Sequence, residues 1–116
     1  TGYGKFYPDR EKYFGTPLKG EDAIPLLHFP GISSELATWL VKTRKAKAVG
    51  LDTPSMDYGQ SKDFLTHRIL LSENIPGFEN VAQLDLLPNK GFEIIAMPMK
   101  ITGGSGAPLR IVARVL

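Results

Sequence analysis

The chain has 116 residues, a formal net charge of +2 and no cysteine. A chain of this length can bury one compact core, and 42% hydrophobic with 22% charged residues is typical of a globular domain. The small net charge gives no electrostatic footprint for nucleic acid or a membrane surface, so we expect neither as a partner. The absence of cysteine excludes disulfides and thiolate metal sites. No apolar run approaches the roughly 20 residues that span a bilayer, and no secretory signal is recognisable, so we expect a cytoplasmic protein.

Residues 1–31 are predicted to form a loop-rich arm, because prolines and glycines recur at short intervals without a hydrophobic period. One short helical turn is expected near Asp9–Tyr13. Aromatic side chains give the arm apolar surface with which to pack onto a scaffold: Tyr3, Phe6, Tyr7, Tyr13 and Phe14.

A first helix is predicted to begin after Ser33, which is a good N-cap residue, with Glu35 in the first turn where the helix dipole favours an acid. Lys42 and Arg44 lie where cations complement the opposite end of the dipole. Their position predicts that the helix ends near Lys45.

The segment Ala46–Leu51 is predicted to form a short buried strand that ends at a turn over residues 52–54. A second helix is predicted from about 62 to 72, with Ser61 as its N-cap. Apolar residues occupy most of its circumference, which predicts that this helix is largely buried. An irregular segment, Phe78–Leu87, is expected to follow.

Two final strands are predicted over Phe92–Ile101 and Leu109–Leu116, both rich in Ile, Val and Met, with a flexible turn at Gly103–Gly106 between them. The coarse order is loop, helix, strand, helix, strand, strand. This order predicts an α/β layered domain. We treat residues 1–116 as a single domain of which 1–31 is the arm.

Any metal site in this chain must use histidine, carboxylate or carbonyl ligands, a donor set that suits zinc or manganese. Of the two histidines, His67 lies in the middle of the second predicted helix and is expected to point inward with Phe64 and Leu71. Glu79 follows 12 residues later (79 − 67), beyond the break at Pro76-Gly77. Only a sharp turn can fold it back toward His67.

These residues also have ordinary structural interpretations. An inward histidine is commonly a hydrogen-bonded core residue, and Glu79 fits a surface or capping role equally well. Asp52, Asp57 and Asp63 are further acids nearby, and His28 fits a packing or capping role in its loop. From the residues alone, the ligand interpretation and the structural interpretation both remain open.

Two other segments permit a binding role, but each has a simpler explanation. Gly103–Gly106 could cradle an anion through backbone amides, although a turn that needs positive φ angles is favoured. The basic run Lys42–Lys47 could contact RNA, although a solvated helix end explains it more simply. The sequence has no Gly-x-Ser-x-Gly elbow, so no serine nucleophile can be argued.

Five segments in consistent order carry a family resemblance. They are Phe29-Pro30-Gly31-Ile32-Ser33, Ala48–Ser55, Ser61-x-Asp63-Phe64-x-x-His67, Phe78–Pro88 and Pro98–Gly106. Together they resemble the cyclase family of metal-dependent hydrolases, the group of the kynurenine formamidases and isatin hydrolases. The segment Asp57–Ser61 resembles the isatin hydrolase branch in particular, in which a cyclic amide is opened.

The resemblance implies a swivelling β/β/α-type layered domain, here a partial version with a mixed sheet and two main helices. It also implies a divalent metal, zinc or manganese, held by His67 and Glu79. In this interpretation His67 is also the catalytic residue, either as a ligand or as a base that orients water. The implied substrate is a small-molecule amide, an aryl formamide or a cyclic amide, whose C–N bond is hydrolysed.

In this family a motif of the form His-x-Gly-Thr-His-x-Asp-x-Pro-x-His in the N-terminal half supplies further ligands, and these 116 residues do not contain it. We therefore expect a C-terminal half that binds metal poorly and is inactive alone. We also expect it to associate, either as a homo-oligomer or with an N-terminal partner chain. The alternative is a non-catalytic binding or interaction domain that retains the hydrolase scaffold.

Overall fold

The structure is a computed structural model that describes all 116 residues. It contains two compact units, Thr1–Ala82 and Gln83–Leu116. None of its helices has the length and apolar character that crossing a bilayer requires. The assignment of residues 1–116 to one domain with an arm over 1–31 stays a prediction.

The first 31 residues contain three short helical segments, which are the 3-10 turns Tyr3–Phe6 and Gly20–Leu26 and the helix α1, Arg10–Phe14. The expected helical turn near Asp9–Tyr13 is confirmed by α1. The Asp9 carboxylate caps this helix by accepting a hydrogen bond from the backbone N–H of Lys12 at 3.2 Å.

The first predicted helix is confirmed. Ser33 caps α2, Ser34–Trp39, through its Oγ, which accepts a hydrogen bond from the backbone N–H of Leu36 at 3.2 Å. The helix continues through one wider, π-helical turn, Leu40–Arg44, and ends at Lys45, whose φ of 52° is left-handed.

A parallel pair of very short strands forms the first sheet. Strand β1, Val49–Gly50, pairs with β2, Gly77–Phe78, and the helix α3, Leu65–Leu71, lies between them in the chain. Parallel strands need such a crossover connection. The strand observed within Ala46–Leu51 has only the two residues of β1 and is shorter than predicted. Strand β2 includes Phe78, the first residue of the segment Phe78–Leu87, for which the sequence predicts no strand.

Helix α3 begins later than predicted. Its N-cap is Phe64, which has a left-handed φ of 49°. A residue in this region cannot continue a helix toward the N-terminus, so the first helical residue is Leu65. The prediction of a helix from about 62 with Ser61 as its N-cap is therefore wrong.

The same helix is less buried than predicted. Thr66 and Leu70, four residues apart on one face of α3, are buried, whereas Phe64 and Leu71 are exposed. The prediction of a largely buried helix with inward-pointing Phe64 and Leu71 is therefore wrong, because so short a helix packs only one face. The His67 side chain is half-buried, with 28% of its surface exposed. The apolar core comprises Ala37, Leu51, Met56, Leu70 and Ile75.

The second unit contains an antiparallel hairpin of strands β3, Phe92–Pro98, and β4, Leu109–Val115. Both predicted strands are thus confirmed, with slightly shorter ends. Successive side chains of a strand point to opposite faces, so the exposed neighbours Ile94 and Ile95 place apolar surface on both faces of the hairpin.

The chain is a mixed α/β protein, as predicted. The expected mixed sheet is not found, because β1–β2 and β3–β4 form two separate two-stranded sheets, one parallel and one antiparallel. The strands β1 and β2 are each two residues long, which is below the usual length of strands that build larger sheets.

Leu70 and Leu71 provide a matched test of this core, because they are neighbours on α3 with 0% and 50% exposure. We expect Leu70→Ala to lower the free energy of unfolding by about 2–5 kcal/mol, since it leaves a cavity in the core. Leu71→Ala should lower it by less than about 1 kcal/mol. Urea denaturation followed by circular dichroism measures both, and equal losses would contradict the packing described.

Candidate functional site

The Asp57 carboxylate holds both the start of α3 and the ring of His67. Its Oδ2 lies 2.6 Å from His67 Nδ1 and accepts the backbone N–H of the same residue at 3.1 Å. Its Oδ1 accepts the backbone N–H of Thr66, also at 3.1 Å. Asp57 therefore satisfies the first N–H groups of α3, a task for which an N-cap side chain normally serves.

Hydrogen bonds keep this buried carboxyl ionised. Burial by itself would raise the pKa of Asp57, but the hydrogen bonds from the His67 side chain and from the backbone N–H groups of Thr66 and His67 outweigh it. The pKa of Asp57 therefore lies below its ordinary value. A carboxylate can only accept, so the hydrogen between Asp57 and the ring belongs to His67 Nδ1, and in the neutral ring Nε2 then carries the lone pair.

Glu79 reaches the other side of the same imidazole. Its Oε1 lies 3.3 Å from His67 Nε2 and accepts the backbone N–H of Met56 at 3.0 Å. Two groups from separate elements, a helix and the end of a strand, thus converge on one point. Their roles as metal ligands stay predictions.

A turn directly after β2 brings Glu79 back toward α3. Asn80 has a left-handed φ of 55° and donates its backbone N–H to the carbonyl of Thr53 at 2.9 Å. Its side-chain Oδ1 also accepts a hydrogen bond from the hydroxyl of the buried Tyr13 at 3.0 Å. The sharp turn that the sequence requires is thus anchored to the arm as well as to the loop after β1.

The spacing of the two donor atoms fits one edge of a metal coordination shell. Two ligands about 2.1 Å from a common ion at a tetrahedral angle lie about 3.4 Å apart, close to the observed separation of His67 Nε2 and Glu79 Oε1. With the Nδ1 hydrogen donated to Asp57, these two facing atoms are both acceptors. They attract each other only through a proton or a cation between them.

The cluster contains fewer donors than a complete metal site requires. No group of three or more histidine and acidic side chains in the structure is arranged to hold a metal ion. Asp57 is engaged with α3 and with His67 Nδ1, so the available donors are His67 Nε2 and Glu79 Oε1. A catalytic zinc takes three protein ligands, so the two donors fit as a portion of such a shell.

The other candidate residues lie outside this cluster. Asp52 accepts hydrogen bonds from the Gly4 backbone N–H at 3.0 Å and from the Thr1 hydroxyl. Asp63 is exposed. His28 is exposed, and its backbone N–H donates to the carbonyl of Phe14 at 2.8 Å, so its packing or capping role stays a prediction.

Asp57 is the residue of this cluster to which the sequence assigns no role. It lies ten residues before His67 in an irregular loop, where neither a strand period nor a helix period relates the two positions. Ser61 accepts the backbone N–H of Phe64 at 3.2 Å, and only the observed start of α3 at Leu65 shows that the N–H groups of Thr66 and His67 need another acceptor.

Gly31 fixes the position of the loop that carries Asp57. A Cβ at Gly31 would lie 2.3 Å from the backbone N of Tyr58 and 2.4 Å from the carbonyl carbon of Asp57. The next residue, Ile32, donates its backbone N–H to Met56 at 2.8 Å. Main chain packs directly on main chain here, so a side chain at position 31 would require the backbone of the loop to shift.

We expect Gly31→Ala to lower the free energy of unfolding by about 2 kcal/mol, because the added methyl group collides with backbone atoms. Gly106→Ala is the matched control, since its Cβ would meet no atom within 4 Å. Thermal and urea denaturation of both variants measure the difference. A Gly31→Ala protein as stable as the Gly106→Ala protein would contradict this close approach.

Comparison with known proteins identifies the family. The family model described as "Putative cyclase" matches residues 1–58, half of the chain. The chain belongs to the cyclase family. This agrees with the resemblance to the C-terminal portion of these hydrolases that the sequence motifs indicate.

Individual relatives include two kinds of hydrolase. The kynurenine formamidase of Bacillus cytotoxicus is 33% identical over 107 residues, which cover 92% of this chain and 48% of that protein. The isatin hydrolase of Roseibium aggregatum is 35% identical over 92 residues, which cover 76% of this chain and 35% of that protein.

A solved structure shows the same fold. Isatin hydrolase A from Ralstonia solanacearum superposes with a TM-score of 0.85 at 32% identity, covering 100% of this chain and 43% of that protein. The chain therefore spans less than half the length of these relatives.

Proposed function

We propose that this chain contributes part of the active site of a metal-dependent hydrolase that cleaves the C–N bond of aryl formamides or cyclic amides. The convergence of His67 Nε2 and Glu79 Oε1 at 3.3 Å carries the proposal. Membership of the cyclase family and the similarity to kynurenine formamidases and isatin hydrolases support the reaction class. The fold proposed for the complete protein is the swivelling β/β/α layered domain.

His67 and Glu79 would hold a divalent cation, for which zinc or manganese suits the nitrogen and oxygen donors. When bound, the cation supplies Lewis-acid polarisation of the amide carbonyl and of the attacking water. His67 presents the Nε2 lone pair as a ligand, or alternatively orients the water as a base. Glu79 offers Oε1 while the Met56 N–H holds its carboxylate in place.

The remaining ligands would come from polypeptide outside these residues, either the N-terminal half of the same family or a partner chain. The coverage of 43–48% of the first relatives supports this arrangement. The hairpin β3–β4 also supports association, because its outer strand edges are unpaired and both faces carry exposed apolar residues. A homo-oligomer is the second form of association that would cover them.

The proposal of a non-catalytic binding domain receives less support. It requires a His67 environment filled by other side chains, yet the His67 side chain is 28% exposed and that of Glu79 is 31% exposed. Both groups are thus accessible to a ligand. We retain the hydrolase as the proposed function.

Zinc titration of the chain tests the two donors. We expect weak binding, and we expect His67→Ala and Glu79→Gln each to weaken it by about tenfold or more, because each removes one of two ligands. Glu79→Gln keeps an oxygen that can accept the Met56 N–H, so the loop stays in place. Glu73→Gln, at an exposed acid, is the control. Zinc affinities that do not differ among these proteins would contradict the assignment, and tight one-to-one binding by the wild type would contradict the two-ligand site.

Activity measurements test the reaction. With zinc or manganese present, we expect no hydrolysis of formanilide or isatin by this chain alone. Hydrolysis should arise when it is produced together with a polypeptide that carries the histidine motif of the family. The His67→Ala chain should remain inactive in the same mixture, and activity of that mixture comparable to the wild type would refute the role of His67.

A further inference from the structure

We propose that Asp57 is a positioning residue that fixes His67 as the tautomer with hydrogen on Nδ1 and turns Nε2 toward Glu79. The significance of this orientation for catalysis rests on the proposed function. The orientation itself rests on the contacts within this chain. It can therefore be tested without metal or substrate.

The contacts of Asp57 restrain the imidazole at two points. The same oxygen, Oδ2, meets both the backbone N–H and the ring Nδ1 of His67, which ties the side-chain torsion to the backbone of α3. The other oxygen is held by the backbone N–H of Thr66, which orients the carboxylate plane. Because the Asp57 side chain is 5% exposed, water competes little for these hydrogen bonds.

The tautomer follows from the charge of the acceptor. A carboxylate can accept a hydrogen bond but cannot donate one, so at 2.6 Å the hydrogen lies on Nδ1 and the neutral ring keeps a lone pair on Nε2. A histidine that binds a metal commonly donates its other ring N–H to a carboxylate in this way. Asp57 thus prepares the ring for a ligand on the side that faces Glu79.

The adjacent residues Met56 and Asp57 hold Glu79 and His67, respectively. Met56 holds Glu79 through its backbone N–H at 3.0 Å, and the next residue, Asp57, holds His67 through its side chain. The close approach of Gly31 to the backbone of Asp57 and Tyr58 fixes this segment in turn. The separation of His67 Nε2 and Glu79 Oε1 therefore depends on one short, closely packed segment.

Asparagine at position 57 separates positioning from simple helix capping. An Asn side chain is a good N-cap, and its single oxygen can accept the Thr66 N–H. In that orientation the amide NH2 replaces Oδ2, so the backbone N–H of His67 loses its acceptor. The NH2 group donates to Nδ1, which requires the hydrogen of a neutral ring to lie on Nε2. Asp57→Asn should therefore reverse the tautomer of His67 while the hydrogen bond from the Thr66 N–H is retained.

The first experiment is nitrogen-15 NMR of the imidazoles in the metal-free 116-residue chain, at a pH where the ring signals no longer change. We expect His67 in the wild type to carry hydrogen on Nδ1 and in Asp57→Asn to carry it on Nε2. His28, the other histidine, is the internal reference. Asp63→Asn, at an exposed acid just before α3, controls for the loss of charge and should leave His67 unchanged.

A wild-type His67 with hydrogen on Nε2 overturns the proposal, and this result needs no variant to fold. An Asp57→Asn protein that is folded by its amide spectrum and keeps the wild-type tautomer also overturns it. A merely structural role of Asp57 would lower stability without reversing the tautomer.

The second experiment is zinc titration of the same three proteins. We expect Asp57→Asn to lower zinc affinity about 10–100-fold, the usual loss when the outer partner of a metal-binding histidine is removed, and Asp63→Asn to leave it unchanged. A tautomer that reverses on Asp57→Asn substitution, together with a wild-type chain that has no zinc affinity, would refute the proposed function but support positioning. Zinc affinity that depends on His67 but not on Asp57, with an unchanged tautomer, would support the proposed function and refute positioning.

Discussion

The rest of the site depends on the hydrogen bonds that the buried carboxylate of Asp57 accepts from the start of α3 and from His67. An ionised carboxylate in a buried position costs several kcal/mol unless it is well paired. Here it accepts two backbone N–H groups and the ring hydrogen of His67, so its desolvation is offset by the donors that a helix start leaves unsatisfied. The start of α3 and the histidine are therefore fixed by one group.

The apolar core holds α3 against the segments that carry β1 and β2. Leu70, on the same face of α3 as Thr66, packs with Leu51 and Ile75 next to the strands β1 and β2. The parallel pair then delivers Glu79 directly after β2, and the left-handed Asn80 turns the chain back. Packing of a short strand–helix–strand unit thus places two chemically useful groups at one point.

Features with local causes could be predicted from the sequence. The cap at Ser33 and the strands β3 and β4, rich in Ile, Val and Met, depend on neighbours in the chain, and the structure confirms them. Features with distant causes could not. The start of α3 depends on Asp57, seven residues before its N-cap Phe64, and the two residues of β2 are too few to show any period.

The sequence by itself determined the family and the α/β class, and through the family resemblance it indicated His67 and Glu79 as candidates, because residue type and motif order are local properties. Only the tertiary structure decided that the side chains of these two residues meet and that Asp57 contacts Nδ1 of the same imidazole. Both contacts join residues of different elements, and they form because the backbone around Gly31, Met56 and Gly77 packs closely enough to bring those elements together. Such proximity is a consequence of packing, which no spacing along the chain encodes.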